Sequence, residues 1–217
     1  MRIDIRKKIF DYLAEYYDEH MSSTGHVIVE EKLLANVKNL VKYYDYILDV
    51  ACGTGIFTNI LNSHFPHAKG IVGVDISNKM LNEAKKGFEE NPKVSFFNIN
   101  AEKLNITKIL SPIDNNLFDL ITICYGVCWF DLSKLIKSLE IICKKNSSII
   151  IIDDIDLVQP LFSKYFPKIA KEIDMVRKFK GKNEIERLFV NAGFQKTHEQ
   201  ICPVRNTHLS YIMLLEK

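Results

Sequence analysis

Eleven residues constrain the fold of this chain more than any other stretch: Ile47-Leu48-Asp49-Val50-Ala51-Cys52-Gly53-Thr54-Gly55-Ile56-Phe57. A short apolar run ends in two glycines, and apolar residues then resume at helical spacing. Without side chains at Gly53 and Gly55, the backbone can turn sharply and a ligand can approach it closely. The helix that follows opens with unpaired amides, which suit an anionic or polar group. Two glycines in a strand-to-helix turn are common, so the weight falls on their surroundings.

Those surroundings alternate. Helical spacing runs from Ile3 to about His20 and, after the break Ser22-Ser23-Thr24-Gly25, from about Val27 to Tyr43. Strands are predicted at 46–51, 70–74, 94–99, 118–124 and 148–153. Helices are predicted between them at 57–64, 79–89, 102–110 and 132–144, with Ser77 capping the second of these. This rhythm means an α/β fold, a parallel sheet wrapped by helices on both faces. The tail departs from it. Residues 155–181 carry Pro160 and Pro167, a helix over 183–192 is closed by Gly193, and the runs 194–201 and 208–215 read as a terminal hairpin.

At 217 residues the chain suits one domain, and 47% hydrophobic with 26% charged residues is ordinary for a globular one. The net charge of +2 provides no large field for a phosphate backbone and argues against nucleic acid as a default partner. The charged start, Met1-Arg2-Ile3-Asp4, is not that of a secretory signal, and the longest apolar run, Ile149 to Ile152, is strand-sized, so no membrane segment is expected. Five cysteines (Cys52, Cys124, Cys128, Cys143, Cys202) without a CxxC pair point to reduced thiols in a cytoplasm and to no metal site.

The second strand, Ile71-Val72-Gly73-Val74-Asp75, ends in an acid 20 residues after Gly55. From there a carboxylate accepts bonds from ribose hydroxyls. A dinucleotide fingerprint wants a third glycine where Thr58 stands, which argues against a nicotinamide dehydrogenase. The triphosphate-binding GxxxxGK[ST] is absent. An adenosyl ligand without phosphates fits the glycines and the acid.

At this point a resemblance enters. Asp49-Val50-Ala51-Cys52-Gly53-Thr54-Gly55 resembles motif I of class I S-adenosylmethionine-dependent methyltransferases, with Ala51 replacing the commoner glycine. Gly73-Val74-Asp75-Ile76-Ser77 resembles the acidic motif that follows it. Asn100-Ala101-Glu102 is similar to the family's Asp-Ala-Glu, with Asn100 keeping an acceptor but not the charge. The segment Ile9 to Asp18 is similar to the opening segment of quinone-pathway methyltransferases, which folds over the cofactor. Cys128-Trp129-Phe130-Asp131 resembles the His-Trp-Phe/Val-Asp of trans-aconitate-type enzymes, with Cys128 in place of the histidine. Asn191-Ala192-Gly193-Phe194 resembles the closing AGF turn.

The resemblance implies a Rossmann-like, doubly wound, seven-stranded, mostly parallel sheet with an antiparallel terminal strand. It also implies transfer of a methyl group from S-adenosylmethionine to a small-molecule acceptor. The single domain divides into a helical cap (1–44), a cofactor-binding core (45–153), and a substrate-lid insert with the C-terminal hairpin (154–217). Expected cofactor-binding residues are Tyr17, Asp49, Ala51, Cys52, Gly53, Gly55, Asp75, Ile76, Asn100, Ala101 and Cys124. Candidate acid–base residues are His20, Tyr125 and Asp154, with His26 beside them. Trp129 serves either as an acceptor-pocket wall or as a core anchor. Two other readings stay open: methylation of RNA or protein, for which the basic insert would be the contact, and non-catalytic binding of an adenosyl ligand.

Overall fold

A computed structural model describes residues 2–37, 43–155, 167–176, 180–204 and 208–217. The chain starts with three helices, α1 (Arg2–Leu13), α2 (Tyr17–Thr24) and α3 (His26–Val37). Alternation then follows: β1 (Tyr46–Val50), α4 (Ile56–His64), β2 (Gly70–Asp75), α5 (Asn78–Lys86), β3 (Val94–Asn98), α6 (Ile106–Leu110), β4 (Phe118–Cys124), α7 (Leu132–Glu140) and β5 (Cys143–Ile155). The last elements are α8 (Ala170–Val176), α9 (Lys182–Asn191), β6 (Gln195–Val204) and β7 (His208–Glu216).

The strands form one seven-stranded sheet in the order β3-β2-β1-β4-β5-β7-β6, parallel except for β7, which runs antiparallel to both its neighbours. This is the expected mixed α/β sheet. Its central strands are apolar on both faces because helices cover both. Leu48, Val50, Val72, Val74, Ile121, Ile123, Ile149 and Ile151 pack on one side with Leu135, Leu139 and Phe189. Their neighbours Ile47, Ile71, Leu120, Ile150, Ile152 and Ile212 pack on the other with Leu33, Leu34, Phe57 and Leu61. A third cluster joins Ile9 and Leu13 of α1 to Met80, Cys128, Trp129, Ile173 and Val176.

Gly73 shows how tight the sheet is beside the future site. A Cβ there would stand 2.6 Å from Phe96 Cδ1 and 2.9 Å from Cys52 Sγ. Gly73→Ala is therefore expected to cost about 1–3 kcal/mol in a denaturant titration, the usual penalty for overpacking a core.

Several boundaries differ from the periodicity. The first predicted helix breaks at Ala14–Tyr16, where no glycine or proline marks the turn. The break brings Tyr17 to the glycine turn, with its Cε1 3.8 Å from where a Gly53 Cβ would stand. The predicted helix 132–144 ends at Glu140, because Cys143 already pairs with Phe118 and starts β5. The stretch 102–110 divides into a 3-10 turn (Ala101–Lys103) and α6. Ser77 does cap α5, accepting from Met80 N at 3.1 Å, and Gly193 closes α9 at φ +87°. Residues 38–42, most of the insert (156–166 and 177–179) and the hairpin loop 205–207 lie outside the described residues. Among the described residues no helix is long and apolar enough to cross a membrane.

Candidate functional site

The register of the sheet places Asp49 of β1 opposite Gly73 of β2 and Thr122 of β4, so the carboxyl ends of three strands open side by side. An open parallel sheet binds ligands at this edge. After β1 the chain turns through three left-handed residues, Ala51 (φ 58°), Gly53 (φ 55°) and Gly55 (φ 85°). Glycine tolerates that conformation and alanine resists it, so strain is held at Ala51. Tyr125, at the end of β4, is also left-handed at φ 49°.

Two carboxylates organise the turn. Asp75 Oδ2 accepts from Gly53 N at 3.1 Å and its Oδ1 accepts from Ser77 N at 2.8 Å, which ties the ends of β1 and β2 together. Asp49, 1% exposed, accepts from the hydroxyls of Thr58 (2.6 Å) and Thr122 (2.9 Å). Burial raises both acids to about 6, although these hydrogen bonds pull the other way. Thr58, which the sequence shows only as a missing glycine, is thus a donor that orients Asp49.

Above the turn lies a cleft of about 550 Å³ lined by Ala51, Gly53, Asp75, Ile76, Met80, Ile99, Ala101, Cys124, Trp129 and Phe130. A smaller adjoining cavity of about 330 Å³ shares Tyr17, Ala51, Gly53, Cys124 and Tyr125 with it, and adds Glu30, Asp49, Cys52 and Thr54. Of the expected cofactor residues, all but Gly55 and Asn100 line one or the other. Gly55 caps α4, packed against Ala84, and Asn100 Oδ1 accepts from Glu102 N at 3.0 Å as a turn cap. Trp129 is buried edge-on against Phe10, with ring centroids 4.9 Å apart, while also lining the larger cleft. It therefore anchors the core, as one of its two readings expects.

The candidate acid–base residues are only partly grouped. Tyr125 Oη lies 3.1 Å from Ser210 Oγ, which donates to Asp154 Oδ1 at 2.6 Å. Asp154 Oδ2 stands 3.6 Å from His26 Nε2, and the His26 ring meets Tyr125 edge-on at 4.8 Å. Burial pushes the Tyr125 hydroxyl well up, so it stays a donor at neutral pH. Asp153, beside them, accepts from the amides of Val127 and Asp154. His20 lies on α2, where burial and then the charge of His26 lower its pKa.

Two buried charged residues escaped the sequence reading. Arg6 of α1 donates to Glu102 Oε1 at 2.9 Å and to the Trp129 carbonyl at 2.5 Å, which holds α1 against the cleft. Asp11 adds a second tie, accepting from Ser77 Oγ at 2.6 Å. Glu30 of α3 is 2% exposed in the smaller cavity. Its signal was present: Leu33, Leu34 and Val37 follow it at i+3, i+4 and i+7, so Glu30 shares the apolar face while Glu31 does not.

Burial, with Asp49 and Asp154 adding to it, pushes Glu30 up to about 8 from the ordinary 4.5 of a free glutamate. The folded chain then binds more protons than the unfolded one between those values. Stability from this group is full below pH 4.5 and is lost as pH rises through 8. Between about pH 6.5 and 8.5, above the titration of Asp49 and Asp75, the melting temperature is expected to fall by about 3–5 °C. Glu30→Gln should flatten that fall in a calorimetric scan.

Residues 47–146 match the protein-family model described as a methyltransferase domain. The chain is 26% identical over 193 residues to the demethylmenaquinone methyltransferase of Staphylococcus saprophyticus, covering 79% of this chain and 80% of that one. Among solved structures it is similar to a SAM-dependent methyltransferase of Thermotoga maritima, with a TM-score of 0.68 at 19% identity over 97% of this chain and 98% of that one. It is also similar to the magnesium protoporphyrin IX methyltransferase of Synechocystis with bound SAH, with a TM-score of 0.66 at 14% identity over 98% of this chain and 99% of that one. Those two structures share its fold.

Proposed function

We propose that this chain, a class I S-adenosylmethionine-dependent methyltransferase, methylates a small molecule held at the carboxyl edge of its sheet, under its N-terminal helices. The observation that carries the small-molecule reading is the cover over the cleft. Arg6 and Asp11 tie α1 across the strand ends, and Tyr17 of α2 lines both cavities, which leaves a covered cleft walled mostly by apolar side chains in its larger part. Demethylmenaquinone and magnesium protoporphyrin IX, named for the two relatives, are likewise small molecules. The division into a cap (1–44), a core (45–153) and a lid with hairpin (154–217) is part of the proposal. So is a cytoplasmic setting, which five free thiols support.

The residues present fit the cofactor. Gly53 leaves open backbone at the turn, Asp75 supplies an acid at the ribose position, and Val74, Ile76, Met80, Ile99 and Ala101 supply apolar walls for a base. When bound, S-adenosylmethionine supplies an activated methyl group on a sulfonium. The protein's task is then positioning and exclusion of water. Asp75 would accept from the ribose hydroxyls, and Asp49 holds the turn through Thr58 and Thr122. The aromatic faces of Tyr17 and Tyr125 suit a cation. If the acceptor is a hydroxyl, its proton has a path from Tyr125 Oη through Ser210 Oγ to Asp154 Oδ1, with His26 beside the carboxylate. His20 stays outside that path in the proposed scheme.

Calorimetric titration with S-adenosylmethionine, S-adenosylhomocysteine and NAD tests the cofactor, and both adenosyl compounds are expected to bind while NAD does not. Label transfer from methyl-labelled cofactor into a cell extract tests the acceptor. The label is expected in the low-mass fraction; recovery only in RNA or protein would overturn the small-molecule reading, and no transfer at all would favour a binding protein.

A further inference from the structure

Glu30 is buried without a counter-charge. Its Oε1 accepts the weak S–H of Cys124 at 3.5 Å, and its Oε2 has no hydrogen-bond partner among the described residues. The titratable groups that face it are Asp49 of β1, Asp154 of β5, Tyr17 of α2, and Cys124 and Tyr125 at the end of β4. His26, on Glu30's own helix, is turned to Asp154. The described lining of the smaller cavity includes no basic side chain. A carboxyl taken out of water among other acids is costly unless it stays protonated or meets a cation. In the lining of the same cavity, Thr54 Oγ1 is also buried without a hydrogen-bond partner among the described residues, and α4 begins there without a side-chain cap. The one cavity therefore offers an acid together with a hydroxyl and the first amides of a helix.

We infer that Glu30 is the counter-ion for the primary ammonium of a bound α-amino acid group, the methionine end of the cofactor, with Thr54 and the first turn of α4 as donors to its carboxylate. This rests on the S-adenosylmethionine reading above. Glu30 carries its proton in the free protein at pH 7, since burial pushes it up to about 8. An ammonium at Oε2 favours the ionised form, so the carboxyl proton passes to the buffer as the ligand binds.

The test is titration calorimetry near pH 7 in two buffers of different ionisation enthalpy. The probes are S-adenosylhomocysteine and 5′-methylthioadenosine, which lacks the amino acid end. Wild type is expected to release nearly one proton with the first and none with the second. Glu30→Gln should abolish the release and weaken S-adenosylhomocysteine about tenfold or more, while 5′-methylthioadenosine stays within about twofold. Binding of S-adenosylhomocysteine to wild type without proton release would overturn the inference, as would equal losses for both ligands in Glu30→Gln. The wild-type buffer pair decides the matter even if the variant does not fold. If wild type binds neither probe, the cofactor reading fails with it.

Discussion

Asp75→Ala is expected to weaken S-adenosylhomocysteine about a hundredfold, the largest effect of any single change at the cleft. On the proposed assignment, Asp75 loses its bonds to the ribose. The structure adds a second cost, because the same carboxylate holds the amides of Gly53 and Ser77 at 3.1 and 2.8 Å. Each buried amide left without an acceptor costs about 1–3 kcal/mol, so the glycine turn itself should loosen. Asp75→Asn keeps one acceptor oxygen but turns an NH₂ toward one of those amides. Its loss should fall between wild type and alanine, near tenfold. Calorimetry gives the affinities and a thermal scan reports the turn. Wild-type affinity in Asp75→Ala would remove the ribose from this residue.

Arg6→Ala has the largest expected effect on stability, about 3 kcal/mol. The Arg6 and Glu102 side chains are 6% and 10% exposed, far from the surface ion pairs that contribute little. Without the guanidinium, Glu102 keeps the Asp131 amide at 3.0 Å among the described residues, and the Trp129 carbonyl loses the Arg6 donor. The first helix should then exchange its amide hydrogens faster than the sheet does, and cofactor affinity should drop with it. Adding Glu102→Gln to Arg6→Ala removes the stranded charge and should recover part of the loss. A total loss below about 1 kcal/mol would mean that Ile9 and Leu13 hold α1 by apolar contact alone.

Much of this molecule was legible in the chain. The strand that ends at Asp49-Val50, the glycines after it and the acid at Asp75 are local signals. Each depends on residues a few positions apart, and the strand-helix alternation needs no long-range contact to be seen. The chain break at Ala14–Tyr16 was not legible, since exposed Glu15 and Tyr16 carry no turn chemistry. Thr58 read as the absence of a glycine, whereas its hydroxyl is bound to Asp49. Asn100 read as a cofactor residue, and the sequence did not show that its side-chain oxygen also caps the turn at Glu102.

Sequence by itself determined the order of the elements, the two-faced apolar strands and the positions of the turn and the acid. Steric limits and periodicity act over short stretches, so they can be read from neighbours. Tertiary structure alone decided which charged side chains go inside. Arg6 and Glu30 sit among apolar neighbours in helices that also carry exposed charges, and only the packing of α1 and α3 against the strand ends turns them toward the cleft. Once there, loss of water changes their chemistry, pairing one with Glu102 and raising the other to about 8.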